Sequence, residues 1–217
     1  MFDFNSVLKF LPDLLTGLVM TMKLTGFSLV LGTLFGTLLA LARLSGSRIL
    51  AWPAYWFVEF FRTTPVMIQI IWCYFALPVL LRHEINSFQA ATIALCLNAS
   101  AFLSEMFRTG ILGVDKGQRD AAQMLCFSRF DTFIHVVAPQ AIRLVFPSVA
   151  ATAVLIMKGT SLASAIGLLE LTRVGQLVST ETFQPLETFS IVAVLYFCVG
   201  FPVLRLARVI DRRLRLD

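Results

Sequence analysis

The sequence predicts an all-α integral membrane protein with about five transmembrane helices, and three observations carry that prediction. At 58% hydrophobic and 14% charged, with a mean hydropathy of +0.82, the 217 residues are too apolar for a soluble domain of ordinary composition. Five apolar runs are each long enough, as helices, for a hydrocarbon core of about 30 Å. Lysine and arginine then fall overwhelmingly on one side of the alternating spans. Residues 1–217 read as a single transmembrane domain, with a loop at about 112–140 between spans three and four.

The first run, Leu14 to Ala42, is too long for a signal-peptide core; acidic Asp3 and Asp13 precede it with no small-residue cleavage site, so it reads as a retained span. Gly32, Gly36 and Ala40 recur every fourth residue along it. That stripe admits close approach by another helix, although ordinary glycine abundance in membrane helices produces the same pattern. After Arg43 and Arg48, the aromatic segment Trp52 to Phe61 suits an interfacial elbow before the second span, Thr64 to Leu81, with Pro65 near its start. A polar turn, Arg82 to Ser87, leads to the third span, Phe88 to Ile111. The fourth run, Ala141 to Leu169, is interrupted at Lys158-Gly159-Thr160-Ser161. A polar stretch from Thr172 to Glu187 precedes the fifth span, Thr188 to Leu206.

The interval from Glu105 to Pro147 is the longest soluble-looking stretch in the chain. One short helix should start near Asp115 and run through Ala121, Ala122, Met124 and Leu125. A second is signalled by Ser128 and Asp131 ahead of Phe133, Ile134, Val136 and Val137, and Pro139 should end it. Such a pair cannot cross a bilayer but can lie at its surface and dock a partner.

Arg43, Arg48, Arg62, Arg108, Lys116, Arg119, Arg129, Arg143, Arg205, Arg208, Arg212, Arg213 and Arg215 share one side, against Lys9, Arg82 and Arg173 on the other. The expected orientation puts the N-terminus outside, and the loop and C-terminus in the cytoplasm. The net charge of +5 is then topogenic, and its dispersal along membrane flanks argues against nucleic-acid binding. Cys73, Cys96, Cys126 and Cys198 are too scattered to imply disulfides or a metal framework, and His83 and His135 fall on opposite sides of the bilayer. The sequence has no phosphate-binding loop, zinc-protease motif or nucleophile elbow. The chain is therefore not expected to be an enzyme, and an ATP-driven role requires a separate nucleotide-binding subunit. Five helices are also few to enclose a pathway, which points to oligomerisation.

Asp120-Ala121-Ala122, Cys126, Val136, Ala138 and Pro139 keep the spacing Glu-Ala-Ala, three residues, Gly, nine residues, Ile, any residue, Leu, Pro. With Asp for Glu, Cys for Gly, Val for Ile and Ala for Leu, the stretch resembles the cytoplasmic coupling loop of membrane subunits of ATP-binding-cassette importers. Arg62-Thr63-Thr64-Pro65, Glu105 to Arg108, Lys116-Gly117-Gln118, Pro139-Gln140-Ala141 and Lys158 to Leu162 resemble the polar amino-acid branch of these permeases, the histidine, glutamate, glutamine and arginine type. The resemblance implies a bacterial inner-membrane permease that works by alternating access with a second, identical or similar subunit. It implies ATPase subunits that hold ATP and Mg, docked on Asp120, Ala121, Ala122, Cys126 and Pro139, and a periplasmic or tethered amino-acid-binding protein. No cofactor is expected on this chain itself. The rival reading is an ATP-independent secondary carrier, disfavoured by the short chain and the lack of an evident internal repeat.

A lysine at a span centre costs about 2.5 to 3.5 kcal/mol on insertion scales, so Lys158 needs compensation. Gly159 weakens the helix and the Thr160 and Ser161 hydroxyls can cap a restarted one, so a broken helix with its positive N-terminal dipole at a cavity is expected there. An amino acid's carboxylate suits that site, and Glu105 is the natural counter-charge for its α-amino group. The same residues also admit a structural pairing of Lys158 and Glu105 with each other or with polar neighbours, or a snorkelling Lys158.

Overall fold

The computed structural model describes residues 4–214, with side chains through residue 212, and every regular element among them is helical. Asp3, Arg215, Asp217 and the side chain of Arg213 lie outside this range. In chain order the helices are α1 (Phe4–Leu8), α2 (Leu11–Leu44), α3 (Arg48–Thr63), α4 (Val66–Leu81), α5 (Ser87–Leu112), α6 (Lys116–Met124), α7 (Arg129–Asp131), α8 (Ala138–Gly159), α9 (Leu171–Thr182) and α10 (Pro185–Leu214). A π-helical turn, Thr132–Val137, fuses α7 to α8, and a 3-10 segment, Thr160–Ile166, extends α8.

Four continuous stretches are long and apolar enough to cross a membrane: α2, α5, Arg129–Ile166, and Pro185–Arg212 within α10. The 16-residue α4, where the second span is expected over Thr64 to Leu81, is too short to cross alone. Helices α3 and α4, bent by 106°, are long and apolar enough only as a pair, which taken as one broken helix brings the number of spans to five. The bend follows from Pro65, which lacks an N–H and holds the residue before it extended. Thr64 is indeed extended (φ −84°, ψ 139°) and ends α3. Backbone carbonyls freed by the break are satisfied from other helices: Gln69 Nε2 donates to Phe61 O (3.0 Å) and Thr64 O (3.1 Å), and Asn98 Nδ2 of α5 donates to Phe61 O (3.0 Å). The aromatic elbow expected over Trp52 to Phe61 is therefore α3.

Helix α5 is the axis of the bundle and touches α2, α3, α4 and α8. Its sequence suits that place, because Ala90, Ala91, Ala94, Ala99, Ser100, Ala101 and Ser104 are small and buried. The facing stripe of α2 is equally small, with Gly32, Gly36 and Ala40 buried. A Cβ on Gly32 would lie 2.7 Å from the Ala99 Cβ, and one on Gly36 would lie 3.0 Å from the Ser100 carbonyl oxygen. Between helices in lipid, where no hydrophobic drive exists, such close backbone approach supplies dispersion contact instead.

Two expectations along the fourth span are corrected. Pro139 does not end a helix, because it occupies the first turn of α8 directly after the π-helical turn, where its missing N–H costs little. Nor does the helix break at Lys158 to Ser161. Thr160 Oγ1 donates to Met157 O and Ser161 Oγ to Lys158 O, both at 2.7 Å, and the chain tightens to 3-10 instead of restarting. The break comes later, at Gly167, whose positive φ of 76° suits glycine. The restarted helix is α9, within the stretch read from sequence as a polar connector. It begins against α2, with Leu171 N donating to Thr21 Oγ1 (3.2 Å), and Val7, Leu14, Leu171, Val178 and Val192 form one core with α1 and α10.

Candidate functional site

Lys158 sits in the last turn of α8, exposed and with no ion-pair partner among the described residues. It opens on a cavity of about 560 Å³ that it lines together with Met157, Ser161, Thr172, Tyr196 and Phe201. Lys158, in the last turn of α8, and Ser161, one turn on at the start of the 3-10 segment, line the same cavity, as residues three apart on one helical face do. Thr160 is fully buried with its hydroxyl on the backbone, and Gly159 is half-buried beside Leu95.

Glu105 lies elsewhere, lining a separate cavity with Met106, Thr109, Gly110 and Ser148. Its carboxylate accepts from Arg43 Nη1 (2.5 Å) at the end of α2 and from Arg108 Nη2 (2.6 Å) one turn along α5. Arg43 also lies over the Tyr55 ring of α3, at 5.5 Å from its centroid. The acid thus closes a two-arginine cluster that joins α2 to α5, and its oxygens do not reach Lys158 in any ion pair of the described residues.

The structure adds Glu170 and Tyr196 to the neighbourhood of Lys158, residues that the sequence reading passed over. Glu170 is wholly buried and caps α9, with Oε2 accepting from Thr172 N (2.9 Å) and Oε1 from Arg173 N (2.8 Å). Tyr196 of α10 donates to the same Oε2 (3.1 Å). The N-terminal end of α9, where the helix dipole favours an anion, is thereby filled by the chain's own carboxylate. The available signal was an acid flanked by Leu168, Leu169 and Leu171, at the edge of an apolar run.

At the other end of the same span, α6 begins as expected at Asp115, whose Oδ1 accepts from Gly117 N (2.8 Å). It ends in a left-handed turn at Cys126 (φ 62°), with Phe127 N donating to Ala122 O (3.1 Å) and Cys126 N to Gln123 O (2.9 Å). Ser128 Oγ accepts from Asp131 N (3.1 Å), so the second expected cap is present. Within this loop Ala122 is buried, whereas Asp120, Ala121, Cys126 and Pro139 are exposed. Met124 (86% exposed) and Phe130 (71%), the latter at the start of the Arg129–Ile166 stretch, give this end of the fold an exposed apolar face. Val114, Val137 and Ala141 pack together beneath the loop and seat it on α8.

Residues 32–216 match the model of the family described as binding-protein-dependent transport system inner membrane component. The glutamine transport system permease protein GlnP of Escherichia coli (strain K12) is 33% identical over 216 residues, covering 99% of each chain. The arginine transport system permease protein ArtQ of Bacillus subtilis (strain 168) is 30% identical, covering 98% of this chain and 97% of its own. A crystal structure of an amino acid ABC transporter with histidines superposes with a TM-score of 0.91 at 31% identity, covering 98% and 99% of the two chains. An inward-facing MetNI methionine ABC transporter, at 20% identity, TM-score 0.74 and 96% of each chain, shares the fold. With five apolar spans, a capped loop between the third and fourth, and a matching family model over most of its length, this chain belongs to the binding-protein-dependent transport system inner membrane components.

Proposed function

We propose that the chain is a transmembrane permease subunit of an ATP-driven importer for polar amino acids, forming its pathway with a second, identical or similar permease subunit. Full-length similarity to permeases named for glutamine and arginine carries this reading. The geometry supports it: a lysine at membrane depth without an ion-pair partner among the described residues, with Ser161 beside it in a cavity of about 560 Å³, suits the carboxylate of an amino acid. In this reading Lys158 and Ser161 contact the substrate, while Gly159 and Thr160 hold the tightened turn that presents them. Glu105 serves by tying α2 to α5, a role supported by its two arginine partners.

ATP and Mg belong to a separate ATPase, whose docking face is Ala121 with Met124 and Phe130, shaped by Asp120, Cys126 and Pro139. A periplasmic or tethered binding protein delivers the amino acid. The chain lies in the bacterial inner membrane with its N-terminus outside and its C-terminus in the cytoplasm, by the positive-inside count.

The test is purification of the intact complex and its reconstitution in proteoliposomes with L-glutamine and L-arginine as probes. ATP-dependent uptake by a complex that contains a stoichiometric ATPase is expected. Lys158→Met should leave assembly intact and lower uptake about tenfold or more, the loss expected of a charge-assisted hydrogen bond. Uptake by the purified chain alone, without ATP, would instead favour a secondary carrier.

A further inference from the structure

Thr172 and Tyr196 line the same cavity as Lys158, and both are bound to one group that does not line it, the buried carboxylate of Glu170. Both oxygens of Glu170 act as acceptors: from Arg173 N on Oε1, and from Thr172 N and the Tyr196 hydroxyl on Oε2. A phenol has a single proton. With that proton committed to Glu170, the 3.1 Å contact between Thr172 Oγ1 and the Tyr196 oxygen must take its proton from Thr172. Both hydroxyl protons are then committed within this wall, which leaves the two oxygens only lone pairs to offer a ligand in the cavity these residues line.

We infer that Glu170 is a positioning residue that makes the Tyr196 and Thr172 wall an acceptor-only surface, and that this wall receives the α-ammonium group of the amino acid while Lys158 receives its carboxylate. The inference rests on the amino-acid reading above and gives the site two poles. A cation at Lys158 and an accepting wall at Tyr196 match a zwitterion in one orientation only; the reversed pose would set ammonium against lysine and carboxylate against lone pairs. The filled N-terminus of α9 agrees with this polarity, because a helix end already occupied by Glu170 offers no second anion site.

The experiment is equilibrium binding of radiolabelled L-glutamine and L-arginine to the detergent-solubilised permease and ATPase complex, with the binding protein omitted so that only this site is read. Competitors are the analogue of the bound amino acid without its α-amino group and the analogue with its carboxylate converted to an amide. In Glu170→Gln the side-chain oxygen keeps one backbone donor and the NH₂ turns a proton on Tyr196. Affinity for the amino acid should fall about tenfold or more, with competition by the deaminated analogue unchanged. Tyr196→Phe leaves the α9 cap untouched and should give the same selective loss; Lys158→Met should spare the amide analogue instead. Parallel loss of the amino acid and its deaminated analogue in Tyr196→Phe, or affinity within twofold of the unaltered complex, overturns the role of Glu170 and its wall alone. If the unaltered complex neither binds nor imports either amino acid, the amino-acid reading falls, and this inference with it.

Discussion

Cys126 holds a left-handed backbone (φ 62°) in a turn closed by the hydrogen bonds of Phe127 and Cys126 to Ala122 and Gln123, at the position where the permease loop pattern carries glycine. A side chain with a Cβ is strained there by about 1 kcal/mol. Cys126→Gly should therefore slow hydrogen exchange at the Cys126 and Phe127 amides, and Cys126→Val should speed it; no change in either variant would show that the turn carries no strain. At Glu105 the consequence of substitution is larger, because Arg43 is only 9% exposed on its side chain. Glu105→Gln leaves that guanidinium short of a counter-charge and should cost about 2 kcal/mol, below the roughly 3 to 5 of a fully buried pair since Arg108 and Glu105 reach solvent. The complex should lose thermal midpoint in detergent, and the Arg43→Met, Glu105→Gln double variant should recover most of it. A normal midpoint with a raised KM for uptake would return Glu105 to the substrate.

The contact between α2 and α5 depends on what is missing from its side chains. Gly32→Val has no room, with a Cβ 2.7 Å from that of Ala99, whereas a Cβ on Gly26 of the same helix would meet nothing within 4 Å and would face outward. Gly32→Val should lower the thermal midpoint of the complex by the equivalent of about 1 to 3 kcal/mol, and Gly26→Ala should leave it unchanged or raise it slightly. Equal effects at the two positions would mean that the stripe does not set the helix distance. Along α8 the local chemistry works the other way, since Thr160 and Ser161 bond back one turn and carry the helix past the lysine. The α9 restart then occurs where Gly167 can turn left-handed and Glu170 can cap.

Across the whole molecule, orientation decides which cavity meets which compartment. In the orientation proposed above, the basic residues of α2, the α5 to α8 loop and α10 share the cytoplasmic side, and the short turn after α4 lies on the other. Single cysteines at Gly117 and His83 in a cysteine-free background should react oppositely with a membrane-impermeant reagent on intact cells, position 83 labelled and position 117 protected. Labelling of 117 from outside would invert the chain and place the apolar loop face of Met124 and Phe130 away from any cytoplasmic ATPase.

By itself the sequence determined the all-helical membrane class, the first, third and fifth apolar runs and the Asp115 and Ser128 caps, because each depends on hydropathy or hydrogen bonds a few residues apart. That the second run crosses only as the bent pair of α3 and α4, that the fourth begins at Arg129, and that the α2 stripe meets α5 came from the structure. Tertiary structure decided the partners. Glu105 lies 62 positions from Arg43 and Glu170 lies 26 from Tyr196, separations at which no periodicity in the chain reports contact. The location of the helix break was also beyond local reading. Lys158-Gly159-Thr160-Ser161 carries every local sign of a break, yet those hydroxyls find carbonyls three residues back. The break falls instead where α9 can bury Leu171 against α2 and place the Glu170 carboxylate under Tyr196, an outcome set by long-range packing.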